Sequence, residues 1–254
     1  NEAGAQRAES FRLFDSGQAT RGESVWKQHI EGISKVEDHL DQVIQQLENI
    51  LSLDVTRDDV RARLVDVLLL RAHIAEDRGL DARVVGYYID RLKLYDTSGG
   101  HVARWDVPAR LQVASEPSGA HVVLERFKDV DGRIVVESTQ DLGTTPIEPQ
   151  TLSRGSYRLR FDLVGHASTA YPVALARGET LAVSVALPPS SALPEGFVYV
   201  PEGRFFYGAA EGEDVREAFV AEPIHAVKTA AYLIGRHEVT YEEYLAFLAA
   251  QVPE

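Results

Sequence analysis

Between Asp96 and Pro108 the spacing of apolar residues changes from three or four to two, and this change constrains the fold more than anything else in the chain. Ahead of it, after a polar stretch from Ser16 to Gly22, apolar residues recur at Trp26, Ile30, Ile33, Val36, Leu40, Val43, Leu47 and Ile50. That spacing lays one stripe along a long helix. A second helix reads from Val60 through Leu64, Val67, Leu68 and Ile74 to a stop at Gly79, with Thr56 accepting from the backbone of Asp58 or Asp59 at its start. A third runs from Asp81 to Tyr95 on Val84, Val85, Tyr88, Leu92 and Tyr95. Residues 1–98 therefore read as helical hairpins. "LENILSLD" and "IDRLKLYD" close two of the helices alike, which fits tetratricopeptide-like units, a plain bundle or a coiled-coil dimer.

Thr97-Ser98-Gly99-Gly100 breaks the helical pattern. Beyond Pro108, "ARLQVAS", "AHVVLERF", "GRIVVES", "SYRLRFDL", "TAYPVAL" and "TLAVSVAL" alternate as short strands, and Asp131-Gly132 suits a two-residue hairpin turn. Residues 108–188 are expected to form a β-sandwich of six or seven strands, with Pro172 at an edge or a bulge. After the proline-rich "LPPSSALPEG", the stretch "FVYVPEGRFFYG" reads as two strands paired around Pro201-Glu202-Gly203. The expected fold class is α+β multidomain: an N-terminal helical bundle of hairpins, a central all-β sandwich, and a partial α+β unit over 195–254.

Composition narrows the function. The chain has 254 residues, 44% of them hydrophobic, enough for two cores. A formal charge of -13 argues against sequence-independent nucleic-acid binding, which needs a basic surface. Cysteine is absent, which excludes a thiolate nucleophile and Cys-ligated zinc. Methionine is absent too, as expected of an internal segment of a longer protein or of a sequence from which modified methionines have been dropped. No apolar run approaches the ~20 residues of a membrane span. There is no glycine-rich nucleotide loop, His-Arg-Asp or Asp-Phe-Gly, so phosphoryl transfer is not expected within this chain.

"SEPSGAHVVL", "LGTTP", "LSRGSYRLRF", "VGHAS" and "LAVSVALP" together resemble a PEGA domain over about 109–187, with Pro117-Ser118-Gly119-Ala120 in the place of its signature. The long "KDVDGRIVVESTQD" section departs from the family pattern and is expected to lengthen a hairpin. The resemblance implies structural roles for Pro117, Gly119, Ala120, Gly143, Pro146, Gly155 and Gly165, and no catalytic residue.

"FVYVPEGRFFYG", "EGEDVREAF", Pro223-Ile224-His225, "AYLIGRHEVT" and "YEEYLAFL" resemble the opening of a formylglycine-generating-enzyme, or sulfatase-modifying-factor, domain. Its motif positions here are Pro201, Gly203, Gly208, Pro223, His225, Glu238 and Thr240, and Thr240 with Glu243 also makes a capping box. The resemblance places the family's catalytic cysteines beyond the opening segment, so this chain is expected to cut the domain off before them. The order of regions is similar to C-terminal extensions of bacterial, notably myxobacterial, Ser/Thr protein kinases.

Other candidates have plainer readings. "HEVTY" at His237 lacks the second histidine of a zinc motif, and Asp129-Val130-Asp131-Gly132 lacks the later ligands of a calcium loop and reads as a turn. Glu211, Glu213, Asp214 and Glu217 read as a solvated charge run, and His225 as a buried strand residue. Trp26, Trp105 and Tyr95 read as packing. No catalytic residue, cofactor or metal is expected. The expected function is a non-catalytic regulatory and interaction segment of a kinase, binding a protein partner or a second copy through the helical region, with the stripe self-associating or clamping onto the sandwich. The alternatives are a fragment of a formylglycine-generating oxidase and a surface module for glycan or peptide. The kinase analogy implies a cytoplasmic location, and a membrane span in the parent would place the segment outside.

Overall fold

A computed structural model describes residues 2–209 and 212–251. The chain has a multidomain α+β fold that divides into two compact units. One holds the chain up to Val107 together with Phe206–Ala226; the other holds Pro108–Phe205 and the chain from Val227 onward.

In the first unit the helices are α1 (Glu2–Asp15), α2 (Ala19–Leu53), α3 (Asp58–Asp77), α4 (Ala82–Tyr95) and α5 (Gly100–Trp105). The break before the long helix is confined to Ser16–Gln18, because Gly17 N and Gln18 N already close α1 onto Phe14 O and Leu13 O. Gly22 lies inside α2, with the Phe14 ring 3.0 Å from where a Cβ would stand. Thr56 does not cap α3; its hydroxyl bonds Asp54 Oδ1 at 2.6 Å, and Arg57 occupies the cap position. The short α5 goes beyond the expected break at Thr97–Gly100. Asp96 makes it possible by accepting from the backbone N–H of His101 and Val102 at 2.8 and 2.9 Å.

The helical core gathers Ile44, Leu64, Leu68, Ala72, Leu92 and Trp105. A charged cluster lies beside it: Glu37, 7% exposed, faces Arg71 at 2.9 Å and also bonds Arg78. Arg71 reaches Asp41 at 3.2 Å and lies over the Tyr88 ring, whose hydroxyl donates to Asp41 at 2.9 Å. Burial, followed by that hydrogen bond, pushes the Tyr88 hydroxyl up to about 12.

The second unit is built on β1 (Ala109–Glu116), β2 (His121–Val130), β3 (Arg133–Thr144), β4 (Ile147–Leu152), β5 (Gly155–Asp162), β6 (Thr169–Leu175) and β7 (Thr180–Ala186). They form a sheet β4-β1-β7 and a sheet β3-β2-β5-β6 around one core that includes Leu111, Val113, Val122, Leu159, Phe161 and Val185. β1 and β7 run parallel, and all the other pairs in these sheets are antiparallel. The seventh strand, β4, lies outside the six runs read from the sequence, since Pro149 interrupts its pattern and it pairs along one side only. Pro172 sits on the edge strand β6. Asp131 and Gly132 form the β2–β3 turn, and Asp129 Oδ1 accepts from Gly132 N at 2.8 Å.

The expected hairpin around Pro201 is replaced by a different pairing. β8 (Phe197–Val200) pairs with β11 (Tyr232–Gly235), and β9 (Gly203–Tyr207) pairs with β10 (His225–Thr229). Strands of four or five residues carry too little pattern to specify a partner, and Pro201-Glu202 only bends one arm of a larger nested hairpin. Its other arm is "HAVKTAAYLIG". Next come the loop with Glu238 and the final helix α7 (Tyr241–Ala250), which carries the predicted capping box of Thr240 and Glu243. Tyr241, Tyr244, Phe247 and Leu248 on that helix are exposed. No helix among the described residues is long and apolar enough to cross a membrane.

Candidate functional site

The most elaborate polar contact in the first unit joins its N-terminal helices to residues 206–226. That segment leaves β9 at Gly208, where a Cβ would fall 2.5 Å from the carbonyl oxygen of Glu222 and φ is +101°; only glycine lets the two backbones pass this closely. Ala209 N bonds Glu222 O at 2.9 Å and Ile224 N bonds Ala209 O at 3.1 Å, closing a neck. Beyond the neck, "EDVREA" forms the helix α6 (Glu213–Ala218) where the sequence reads as an acidic loop.

Arg216, at the centre of α6, is 3% exposed, yet all of its N–H groups are used. Nε donates to Glu213 Oε2 at 3.0 Å. Nη1 donates to Glu23 Oε2 at 2.9 Å and to Ala221 O at 3.0 Å. Nη2 donates to Glu23 Oε1 at 2.7 Å and to Glu213 Oε2 at 2.8 Å. Planar two-pronged pairing with a carboxylate is what a guanidinium does best. The bonds to Glu23, reinforced by Glu213 and opposed by burial, hold the guanidinium well above its ordinary pKa.

An aromatic row lies alongside. Trp26 Nε1 donates to both Glu213 oxygens, at 3.1 and 3.0 Å. The Phe11 ring stacks on Trp26 at 5.7 Å and on His225 at 4.8 Å between centroids. His225 is buried; its Nδ1 donates to Pro223 O at 2.8 Å and its Nε2 lies 3.2 Å from Asp15 Oδ1. Lys27 and Glu217 add an exposed pair at 3.2 Å, which contributes little in water. These groups grip and orient a peptide segment.

This geometry corrects the solvated reading of the acidic run at Glu213, because a buried arginine and an indole N–H draw it out of solvent, whereas Glu217 stays exposed as read, with Lys27 beside it. Glu211 and the side chain of Asp214 lie outside the described residues. His225 is the buried strand residue expected, with a backbone carbonyl as one partner. Asp15, Glu23 and Arg216 were not legible as site residues. The one local signal is the three-residue spacing of Glu213 and Arg216, while the partners on α1 and α2 lie about two hundred positions away.

The remaining motif residues serve the backbone. Pro117, Gly119, Ala120, Gly143 and Pro146 come together around Thr145, whose hydroxyl accepts from Gly119 N and Ala120 N at 3.0 Å each. The Glu116–Pro117 and Thr145–Pro146 bonds are cis. Asp141 accepts from Gly143 N at 2.8 Å, and that bond, with His121 adding to it, lowers the Asp141 pKa. Gly155 opens β5 beside the Tyr157 ring, and Gly165 O accepts from Ser190 N at 3.0 Å, so the proline-rich stretch is tied to the sandwich. A Cβ on Gly203 would stand 3.1 Å from Tyr171. Pro201 is buried, Pro223 bridges to Ala209, and Glu238 is exposed. Among the described residues no group of three or more His, Asp or Glu side chains is placed to hold a metal ion.

Residues 185–252 match the family described as sulfatase-modifying factor enzyme 1-like domain. A comparison with curated proteins found no match for the chain. The matched stretch takes in Glu213, Arg216 and His225, whereas Asp15, Glu23 and Trp26 lie outside it. The contact thus joins the matched stretch to helices that lie outside the match.

Proposed function

We propose that this chain is a non-catalytic regulatory and interaction segment of a multidomain bacterial Ser/Thr protein kinase, with the helical region as its protein-binding part. The observation that carries the reading is the two-pronged hold of Glu23 on Arg216, beside the Phe11 and Trp26 rings. A buried arginine flanked by aromatics is the chemistry of protein recognition sites. The kinase context rests on the resemblance of residues 109–187 to a PEGA domain and on the order of regions. Purified chain given ATP and a generic protein substrate, or a cysteine-containing peptide and copper, is expected to turn over neither. Sedimentation velocity across a concentration series tests for association; turnover of either substrate would defeat the reading.

A second reading has one observation in its favour, the match at 185–252. On it, the segment opens a formylglycine-generating oxidase whose reactive cysteines belong to a part of the parent outside this sequence. Reading the parent gene for paired cysteines separates the two.

A further inference from the structure

We propose that the α1–α2 hairpin is a receptor for a short helix carrying a glutamate three residues ahead of an arginine, and that residues 212–226 fill it in cis as a displaceable strap. The proposal rests on the reading of the helical region as protein-binding and names the ligand class that it takes.

Asp15, Glu23, Phe11 and Trp26 all stand on two helices that pack against each other, and Glu23 presents both carboxylate oxygens to one guanidinium. Glu23, with its two oxygens on Nη1 and Nη2, selects an arginine over a lysine, since only the planar fork pairs with a carboxylate at two points. The ligand side is held at few points. α6 has six residues, too few to persist as a helix in water without a surface to lie on. Phe219 and Val220, just beyond it, are 78% and 91% exposed, so apolar burial does not hold the strap there. Its buried polar hold comes from three side chains, Glu213 on Trp26, Arg216 on Glu23 and His225 on Asp15, each of which a competitor can replace. Attachment in the same chain gives the strap an effective concentration of about millimolar, so a free peptide of the same sequence competes poorly until the strap is out.

The test is a fluorescein-labelled peptide spanning residues 212–226, titrated by fluorescence polarisation against the full chain. Arg216→Glu, which expels the strap, is expected to bind the peptide at least ten-fold more tightly than wild type. Glu23→Arg, which ruins the receptor, is expected to bind no better than wild type. Equal binding by wild type and Arg216→Glu overturns the proposal, as does equal gain by both variants. Hydrogen exchange on the unmodified chain covers the case in which a variant fails to fold. Amides at 213–226 are expected to open at least ten-fold more often than those of α2 near Trp26, and joint opening of the two overturns the strap. Catalytic turnover by the chain would sink the functional reading instead, so the two failures are distinguishable.

Discussion

The hydroxyls of Thr145 and Ser115 lie 2.6 Å apart inside the sandwich, at 4% and 6% exposure. Ser115 spends its one proton on Pro117 O at 2.7 Å, so Thr145 must donate to Ser115 and keep its lone pairs for Gly119 N and Ala120 N. One hydroxyl therefore ties the β1–β2 turn to the β3–β4 turn. Thr145→Val fills the same space but leaves the buried Ala120 N–H without an acceptor, while Gly119 N keeps the Thr145 carbonyl, and should cost about 1–3 kcal/mol in urea unfolding. Thr145→Ser keeps the hydroxyl and should lose less than half as much.

Glu37 lies between Arg71 and Arg78 with its carboxylate almost wholly buried. Glu37 Oε1 and Arg71 Nη1 are close in charge terms but do not form an aligned hydrogen bond, so the attraction is mainly Coulombic. Removing the acid leaves the buried Arg71 guanidinium with Asp41 as its one acidic partner, which is worse than removing both members of the Glu37–Arg71 pair. Glu37→Ala is expected to destabilise the helical unit by about 3–5 kcal/mol in thermal or urea unfolding. Arg78→Ala should cost clearly less, because that side chain is 24% exposed and its loss leaves Glu37 still paired with Arg71.

Periodicity made the layers legible and left partners illegible, and particular residues account for both. The third helix, its Asp81 start and the Gly79 stop all follow from local chemistry, as do the Asp131-Gly132 turn and the Thr240–Glu243 box. Each is decided within about five residues. The pairing of Phe197–Val200 with Tyr232–Gly235 is decided by a return strand more than thirty positions on, which alternation cannot identify. The acidic stretch at Glu213 became helix and anchor because Glu23 and Trp26 meet it, and nothing near Glu213 in the sequence announces them. The tertiary partner overrode a composition that taken alone belongs in solvent.

Asp96 supports α5 by accepting from Val102 N and His101 N, with Ser98 adding a third bond. Burial by itself would raise its pKa, but the backbone donors and Ser98 outweigh it and the net direction is down from 3.8. A carboxylate depressed in the folded state contributes stability that is complete above its unfolded pKa and fades as pH falls through the folded one. Urea unfolding of wild type should therefore weaken with acid below the ordinary carboxylate range. The difference between wild type and Asp96→Asn should shrink over the same interval. A difference that stays constant from neutral pH into that range would mean Asp96 acts through shape alone.

Val220 ends α6 with the backbone geometry that Gly79 uses to end α3. At α3, Gly79 N bonds Glu76 O at 3.0 Å and Leu80 N bonds Ala75 O at 3.0 Å, with Gly79 at φ +66°. At α6, Val220 N bonds Glu217 O at 3.1 Å and Ala221 N bonds Arg216 O at 3.0 Å, with Val220 at φ +52°. Glycine takes this left-handed turn freely, whereas a β-branched residue is strained there by about 1–2 kcal/mol. The same turn aims Ala221 O at Arg216 Nη1, so the strain sits in the segment that the arginine holds down. Val220→Gly should stabilise that segment by about 0.5–1 kcal/mol once the greater backbone freedom of glycine is deducted. Slower hydrogen exchange at Val215–Ala221 would register the gain. Faster exchange there would mean that Val220 makes a contact worth more than the strain it carries.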